Sequence, residues 1–428
     1  MYSSQILDCA TAQSQDAEPD HGPCRLCGER LKTTVVDLGV SPLANAFISR
    51  KSRNRMEAFY PLHAMICDSC HLVQLEEFES PQEIFRDYLY YSSYSTSWLK
   101  HAEAYVAQQI TRFNLDASSL IVEIASNDGY LLQYAQERGV KVLGIEPAST
   151  VAEVAIGKGI RTEIAFFGEE TAERLKDCGV QADLMVANNV LAHVPDLHDF
   201  LQGFYVLLKK DGVVTFEFPH LMRLLQETQF DTIYHEHFSY LSLRTVSQAL
   251  QQHGLRVFDV EELPTHGGSL RVYATHDESE KHPTQISVGE LLHRELAAGL
   301  EDMKTYKDFA ERVVQIKENL VEFLINAKRA GQKIVAYGAP AKGNTLLNFC
   351  GIGPEFISFT TDMNPHKQQM LLPGSRIPIM PPEEIRHSRP DAVVILPWNL
   401  KDEIMPQLAY IREWGGRFVL PIPDLHVL

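Results

Sequence analysis

Two blocks of this chain alternate short apolar segments with amphipathic segments, and this alternation restricts the possible folds more than any other feature. The first block covers residues 96–275, and the second covers residues 332–428. Because alternating strands and helices form parallel sheets with helices packed on their faces, each block predicts an α/β domain. In the stretch between them, apolar side chains recur at three- and four-residue steps, which predicts helix. These side chains are Leu292, Leu296, Leu300, Met303, Phe309, Val313, Ile316, Leu320 and Phe323.

Two glycines are expected to end helices in the stretch between the blocks. We expect Gly299 to divide it into two helices and Gly331 to end the second one, since glycine readily adopts the left-handed conformation that follows many helices. Residues 286–331 are therefore interpreted as a helical connector between the two α/β domains.

Composition and charge limit the classes of partner. The chain has 428 residues, enough for two or three domains, and a formal net charge of −17. A protein that tracks nucleic-acid phosphates needs a cationic face, so we expect no nucleic-acid partner. Apolar runs stay shorter than the roughly 18–20 residues of a membrane helix, so we expect no membrane association. Residues 1–21 are polar and acidic, which predicts a disordered tail.

Four of the seven cysteines form two C-x₂-C pairs, Cys24 with Cys27 and Cys67 with Cys70. Without a visible export signal, disulfides are not expected, and we place the protein in a reducing cytoplasm. Four thiolates complete the tetrahedral shell of a structural zinc ion. The interval between the pairs is longer than in a typical zinc ribbon, so buried unpaired cysteines or a redox pair stay open as alternatives. We interpret residues 22–85 as a small zinc-binding domain.

A polar turn follows the first apolar strand of the first block. Asn127, Asp128 and Gly129 form this turn, and Glu146 stands at the carboxyl end of the next strand. In open α/β sheets an acid at that position hydrogen-bonds a ribose diol, and NAD sites share this pattern. The G-x-G-x-x-G fingerprint of NAD sites is missing, which argues against NAD. An ordinary crossover turn is the remaining alternative.

The rest of the first block favours a methyl donor over a dinucleotide. A later strand ends at Asn188 and is followed by His193, and residues 209–212 are predicted to form a turn before the next strand. This order of features resembles a class I S-adenosylmethionine (SAM)-dependent methyltransferase.

Residues 230–240 are the densest cluster of titratable and aromatic side chains in the chain. They include Tyr234, His235, Glu236 and His237. A histidine of near-neutral pKa can remove a proton from a carbon next to a ketone, and a tyrosine can donate to the resulting enolate oxygen. Zinc binding and a solvated histidine-rich loop are the competing interpretations, and the missing H-E-x-x-H pattern argues against zinc.

The second block opens with another glycine turn. Gly338 follows an apolar strand, Lys342 and Asn344 stand at the start of the next helix, and Asp362 ends the next strand. Such a turn presents backbone N–H groups and the positive end of a helix to a phosphate, and Lys342 adds a positive charge. The sequence lacks the GKS or GKT of a Walker A loop. A purely structural crossover is the alternative.

Together these motifs resemble one family. From about residue 22 to residue 428, the chain is similar to the SAM-dependent sugar C-methyltransferases of deoxysugar biosynthesis, which methylate nucleotide-linked 4-keto hexoses. The shared motifs are the two C-x₂-C pairs, V-E-I-x-S-N-D-G, Y-x-E-H-F, P-x-H-G-G-x-x-R and Y-G-A-x-A-K-x-N-T. The resemblance implies a class I methyltransferase Rossmann-like domain over residues 86–285. It also implies a small N-terminal zinc-binding domain and a C-terminal Rossmann-like α/β domain over residues 332–428.

The resemblance further implies roles for individual residues. The residues expected to be catalytic are His237 as the base, together with Tyr234, Glu236, His193 and Tyr90 around the sugar. The residues expected to hold SAM are Glu123, Asn127, Asp128, Gly129, Glu146 and Asn188. Those expected to hold the nucleotide sugar are Gly338, Lys342, Asn344 and Asp362. Two positions depart from the family pattern: Ala125 replaces a glycine, and Tyr94 stands where a small residue is common.

The implied function is methylation of the carbon next to the ketone, at C-3, of a dTDP-linked 4-keto-deoxysugar. SAM would be the methyl donor, zinc would be structural, and the enzyme would be a monomer or a weak homodimer. O- or N-methylation of another small molecule remains an alternative, because it needs the SAM turn but no carbon-acid base. Non-catalytic binding of a nucleotide sugar is a further alternative.

Overall fold

The computed structural model describes residues 21–80 and 91–428. Its described strands form three main sheets and a short two-stranded ladder. Short 3-10 segments occur at Arg50–Ser52, Ser92–Tyr94, Leu191–His193, Phe230–Thr232, Thr265–Gly267, Trp398–Leu400 and Ala409–Trp414.

The first sheet is antiparallel and belongs mostly to the cysteine-bearing region. Its strands, in spatial order, are β1 (Thr33–Ser41), β3 (Tyr60–Ile66), β4 (Val73–Gln74) and β10 (Ser239–Tyr240). Strand β10 directly follows the His-Glu-His segment in the sequence, and it pairs Ser239 with Gln74. The predicted catalytic segment is therefore joined to the cysteine-bearing region by a shared sheet.

The central sheet contains the first α/β block. Its strands, in spatial order, are β7 (Thr162–Glu163), β6 (Lys141–Ile145), β5 (Leu120–Ile124), β8 (Ala182–Asn188), β9 (Leu208–Pro219), β12 (Ser269–His276) and β11 (Leu255–Leu263). Neighbouring strands from β7 to β9 are parallel, whereas β12 is antiparallel to both β9 and β11. The predicted class I methyltransferase α/β fold is confirmed. The helices of this region are α1 (Thr96–Phe113), α2 (Leu132–Glu137), α3 (Ser149–Gly157), α4 (Glu169–Asp177), α5 (Leu197–Leu207), α6 (Leu221–Gln226) and α7 (Leu243–Gln252).

Polar side chains fix where several of these helices begin. The Asp196 carboxylate accepts the backbone N–H groups of His198 and Asp199 at the start of α5. Ser242 and Thr245 form a reciprocal capping box at the start of α7. Such caps satisfy N–H groups that have no partner within the helix, and each contributes about 0.5–2 kcal/mol.

One local prediction is wrong. Residues 209–212 do not form a separate turn before a strand, because β9 already begins at Leu208. Leu208 lies opposite Ala182 and Val213 lies opposite Leu184, so the residues between Leu208 and Val213 bulge out of the same ladder. A bulge accommodates extra residues on one strand while the pairing continues on both sides.

The connector forms two helices, as predicted. They are α8 (Ile286–Ala297) and α9 (Met303–Arg329). Gly299 lies between them with φ of +79°, and Gly331 follows α9 with φ of +71°, a region that glycine enters at little cost. Along α9 the buried residues include Phe309, Val313 and Ile316, which belong to the apolar face that the periodicity predicted. Leu296 on α8 was also predicted to lie on this face, but it is exposed.

The C-terminal sheet is parallel except for its last strand. Its strands, in spatial order, are β16 (Ile379–Met380), β14 (Thr360–Thr361), β13 (Ile334–Tyr337), β17 (Ala392–Ile395), β18 (Arg417–Leu420) and β19 (His426–Val427). Its helices are α10 (Ala341–Cys350), α11 (Glu383–Ser388) and α12 (Lys401–Gln407). A separate ladder pairs β15 (Met370–Leu371) with β2 (Ile48–Ser49), so this region also touches the cysteine-bearing region.

The cysteine-bearing region, the central sheet, the connector and the C-terminal region share one core. A continuous cluster of buried apolar side chains includes Leu62, Phe216, Phe309 and Leu346, which come from the first sheet, the central sheet, the connector and α10. None of the helices in the described ranges combines the length and apolar character that a membrane crossing requires.

Candidate functional site

The four paired cysteines converge on one point. The Sγ atoms of Cys24 and Cys70 are 3.5 Å apart, and those of Cys27 and Cys67 are 3.4 Å apart. All four Sγ atoms lie within 4.8 Å of one another. With Zn–S bonds of about 2.3 Å, tetrahedral ligands lie roughly 3.8 Å apart, so the set fits zinc. The Gln74 side-chain amide donates to Cys24 Sγ over 3.1 Å, which suits a thiolate.

The first polar turn is held together by Glu146. Its two carboxylate oxygens accept the backbone N–H groups of Asn127 (2.9 Å) and Ala148 (2.8 Å). Glu146 thus stands at the end of β6 against the turn that follows β5, where the sequence predicted it. Each oxygen keeps a lone pair that a ribose hydroxyl could use. Burial raises the pKa of Glu146, and the two N–H bonds oppose that rise.

Gly129 closes the same turn in a conformation that excludes a side chain. Its φ is +76°, and an added Cβ would lie 2.3 Å from Ile160 Cδ1. Ala125, where the family has glycine, also has a positive φ of +57°. Left-handed backbone costs an L-residue roughly 1–2 kcal/mol, which explains why glycine is common there.

The predicted SAM residues leave polar atoms that a ligand could satisfy. Asp128 Oδ1 and Asn188 Oδ1 are buried and have no hydrogen-bond partner among the described residues. Buried acceptors are normally paired, so these two fit the donors of a bound cofactor such as the ammonium group of SAM. Glu123 is also buried, and its pKa is raised far above its usual range, mainly by burial.

A short segment before α1 covers this turn. Ser92 donates its backbone N–H to Asn127 Oδ1 over 3.0 Å, and the Ser93 hydroxyl donates to Asp128 Oδ2. Tyr94 is 58% exposed, and its ring stacks on that of Tyr91 with centroids 5.3 Å apart. Tyr90, predicted to be catalytic, lies outside the described residues.

The histidines predicted to act on the substrate lie against each other, His237 buried and His193 partly buried. The His237 ring lies 4.0 Å from the Tyr234 ring and 4.7 Å from the His193 ring, centroid to centroid. His237 Nδ1 donates to the carbonyl of Thr232 over 2.9 Å. Because a carbonyl only accepts, this bond places the proton of neutral His237 on Nδ1 and leaves Nε2 as the basic nitrogen.

Burial keeps both of these histidines neutral. It lowers the pKa of His237 well below its usual value, with His193, His266 and Lys342 adding to the effect. Burial likewise lowers the pKa of His193 to about 4. The near-neutral pKa expected from the sequence is thus replaced by a lower one. The interpretation of this segment as a solvated loop is wrong.

The other two members of the His-Glu-His motif, His235 and Glu236, contact the cysteine-bearing region. His235 Nε2 donates to the carbonyl of Pro61 over 3.0 Å, so His235 and His237 do not face a common metal. Glu236 is 4% exposed, and its two oxygens accept from the Asn45 side-chain amide at 2.8 and 2.9 Å. Burial raises the pKa of Glu236 to about 7, although Asn45 and Lys367 oppose the shift.

The second glycine turn offers fewer free N–H groups than expected. The N–H of Gly338 donates to the carbonyl of Thr361, and that of Ala339 donates to Asp362 Oδ2 over 2.8 Å. The Asn344 side chain donates to the carbonyl of Ala44 over 2.6 Å, which joins α10 to the cysteine-bearing region. Asp362 and Asn344 therefore stabilise the turn and the junction in this structure.

Lysines supply the positive charge at this turn. Lys342 Nζ lies 4.4 Å from the ring centroid of Trp398 and 2.5 Å from Asn399 Oδ1. Lys367, which the sequence reasoning missed, donates to the carbonyl of Ala339 over 2.9 Å. Lys342 is therefore not the only cation at the turn.

Other contributors to the junction also carried no sequence signal. Trp398 Nε1 donates to Asp231 Oδ2 over 2.8 Å, and Thr345 Oγ1 donates to the carbonyl of Ile233 over 3.0 Å. Both bonds join the C-terminal region to the segment that carries His237. Asn45 and Trp398 were missed because each acts on a residue far away in the chain.

Comparisons with known proteins agree with this architecture. The chain matches the families described as zinc binding domain over residues 24–85, methyltransferase domain over residues 98–260 and C-methyltransferase C-terminal domain over residues 264–423.

Individual relatives cover different shares of the chain. C-methyltransferase NovU of Streptomyces niveus is 36% identical over 405 residues, which are 95% of this chain and 96% of that protein. A ubiquinone biosynthesis O-methyltransferase of Bartonella quintana is 30% identical over 120 residues, 26% of this chain and 49% of that protein. A SAM-dependent methyltransferase structure from Clostridium acetobutylicum has 11% identity and a TM-score of 0.34, covering 42% of this chain and 92% of that one.

Proposed function

Because this chain belongs to the family of SAM-dependent C-methyltransferases, we propose that it methylates C-3, the carbon next to the ketone, of a nucleotide-linked 4-keto-deoxysugar. The observation that carries this proposal is the contact between buried His237 and partly buried Tyr234, whose ring centroids lie 4.0 Å apart. Methyl transfer to carbon needs a base that removes a proton from carbon, and methyl transfer to an existing oxygen or nitrogen lone pair does not.

His237 is the proposed base. Its Nδ1–H bond to Thr232 leaves Nε2 to accept the proton from C-3. The electron pair of the broken C–H bond then delocalises onto the ketone oxygen as an enolate. A base in this position contributes about 10²–10⁴ in rate, and its depressed pKa keeps it in the accepting form over the physiological pH range.

Tyr234 is the proposed donor to the enolate oxygen, and His193 is the second candidate. A hydrogen bond aimed at an oxygen that gains charge stabilises the transition state more than the ground state. When bound, SAM supplies the electrophilic methyl group that the enolate carbon accepts. The Asn127 turn and Glu146 would hold its ribose, and Asp128 and Asn188 would accept from its ammonium group.

The C-terminal turn is proposed to hold the diphosphate of the nucleotide. Lys342 and Lys367 are the cations there, and Lys342 also contributes to the low pKa of His237. Because Lys342 lies close enough to His237 to lower its pKa, a diphosphate bound at Lys342 would bring the attached sugar toward the proposed base.

The test is a panel of dTDP-linked 4-keto-deoxysugars incubated with SAM, first in water and then in deuterium oxide. We expect one sugar to gain a methyl group on C-3, located by NMR, and to exchange its C-3 hydrogen with solvent when SAM is omitted. Methylation on oxygen or nitrogen without such exchange would contradict the proposal. So would the failure of every sugar in the panel to be methylated.

A further inference from the structure

We propose that Arg25, which lies between two of the zinc-binding cysteines, is a positioning residue that holds the His193 and His237 segments in register with each other. This inference rests on the proposed function, because it concerns the geometry of the base assigned there. Arg25 would not touch the substrate and would act through the two segments that it contacts.

The Arg25 guanidinium contacts both histidine segments. Its Nη1 donates to the carbonyl of Pro195 over 3.0 Å, and Pro195 is two residues after His193. Its Nη2 donates to the carbonyl of Leu75, and the Leu75 N–H in turn donates to the carbonyl of Phe238 over 3.0 Å. The guanidinium carbon also lies 5.3 Å from the centre of the Phe238 ring, which directly follows His237.

The other end of Arg25 is fixed in the cysteine cluster. Its backbone N–H donates to Gln74 Oε1 over 3.0 Å, and Gln74 Nε2 donates to Cys24 Sγ over 3.1 Å. Gln74 belongs to β4, which pairs with β10 just after His237. Arg25 thus connects the cysteine turn to both segments, whose histidine rings lie 4.7 Å apart.

The chemistry of arginine suits this position. Its planar fork can donate to two carbonyl oxygens that lie in different directions, which a lysine ammonium at the end of a flexible stem reproduces poorly. A guanidinium also stays protonated over the physiological pH range, so the fork keeps all of its donors. Removing it would take these donors away from the carbonyls of Leu75 and Pro195 and would loosen the loop that carries Pro195.

Loosening these segments should affect turnover more than ligand binding. Misplacement of a catalytic group by about 1 Å can cost roughly 10² in rate. If His193 and His237 separate and water enters, the pKa of His237 should rise toward the usual value for histidine, because burial and the nearby His193 are the two largest causes that lower it.

The test compares Arg25→Met and Arg25→Lys with a matched control, Arg256→Met. Arg256 also donates to two backbone carbonyls, those of Ser279 and His282, but it lies on the edge strand β11. With the sugar that the wild-type protein methylates, we expect Arg25→Met to lower kcat about 10–100-fold, while the SAM dissociation constant and zinc content stay unchanged. Arg25→Lys should lower kcat less than Arg25→Met does, and Arg256→Met should keep the wild-type kcat.

A second readout separates positioning from a general loss of stability. The histidine rings of ¹³C-labelled protein are titrated by NMR, with His193→Asn and His237→Asn used to assign the signals. We expect Arg25→Met to raise the pKa of His237, and Arg256→Met to leave it alone. Unchanged kcat and unchanged His237 titration in Arg25→Met would overturn the proposal, as would an equal loss in Arg256→Met. If His237→Asn itself keeps full turnover, the proposed function fails instead.

Discussion

Replacing Asn45 by alanine should make the stability of this protein depend more steeply on pH, because Asn45 stabilises the charged form of Glu236. Asn45 comes from the cysteine-bearing region, and its amide donates to both Glu236 oxygens at 2.8 and 2.9 Å. Burial raises the pKa of Glu236 to about 7, and the Asn45 bonds limit that rise. Without them the pKa should rise further.

The direction and size of this effect on stability follow from the contacts of Glu236. A carboxyl whose pKa is higher in the folded than in the unfolded protein destabilises the fold as pH rises from the unfolded to the folded value. Hydrogen bonds to a charged group contribute about 1.5–3 kcal/mol, so losing them should raise the pKa of Glu236 by roughly 1–2 units. Asn45→Ala should therefore lower the free energy of unfolding by about 1 kcal/mol near pH 6. Near pH 9 it should lower it by about 1.5–3 kcal/mol more than at pH 6.

Urea unfolding at several pH values measures this difference, with Glu236→Gln as the control background. Glutamine has a similar shape and does not titrate, so the cost of Asn45→Ala should be the same at every pH in that background. If Asn45→Ala lowers the free energy of unfolding by the same amount at every pH while Glu236 is present, the prediction is wrong, because Asn45 then does not stabilise the carboxylate charge.

Two further predictions concern the ligands. Metal analysis should find about one zinc ion per chain, and Cys67→Ser should lose both metal and folded protein, because the free energy of metal binding is also free energy of folding; a metal-free protein that stays well folded would contradict the zinc site. In calorimetric titrations, Glu146→Ala should weaken SAM binding much more than nucleotide-sugar binding, and Lys342→Ala should do the reverse, whereas equal weakening of both ligands by either variant would contradict separate sites.

Local patterns in the sequence were enough to predict most of the elements and several of the turns, although not the one expected at residues 209–212. The Asn127 turn after β5, the position of Glu146 after β6 and the break at Gly299 all depend on residues within a few positions of each other. Backbone conformation at such positions is set by neighbouring residues, which a sequence displays directly. The cysteine cluster was also predictable, because metal chemistry restricts its four ligands to a recognisable pattern.

The contacts between regions could not be predicted in this way. Asn45 contacts Glu236, and Trp398 contacts Asp231, across intervals of 191 and 167 residues. No local pattern records which distant side chain a polar group will meet, or how deeply it will be buried. For the same reason the sequence suggested a near-neutral pKa for His237, although burial lowers it in the folded chain.

The most direct test of the account is hydrogen exchange at C-3 of the sugar in deuterium oxide, compared between the wild-type protein, His237→Asn and His193→Asn. If His237 is the base, His237→Asn abolishes exchange and lowers methylation by about 10²–10⁴, while SAM still binds. His193→Asn should keep measurable exchange, since His193 is assigned to the enolate oxygen rather than to the proton. Exchange and methylation that persist in His237→Asn would contradict the assignment of the base, and exchange lost only in His193→Asn would show that the two histidines have the opposite roles.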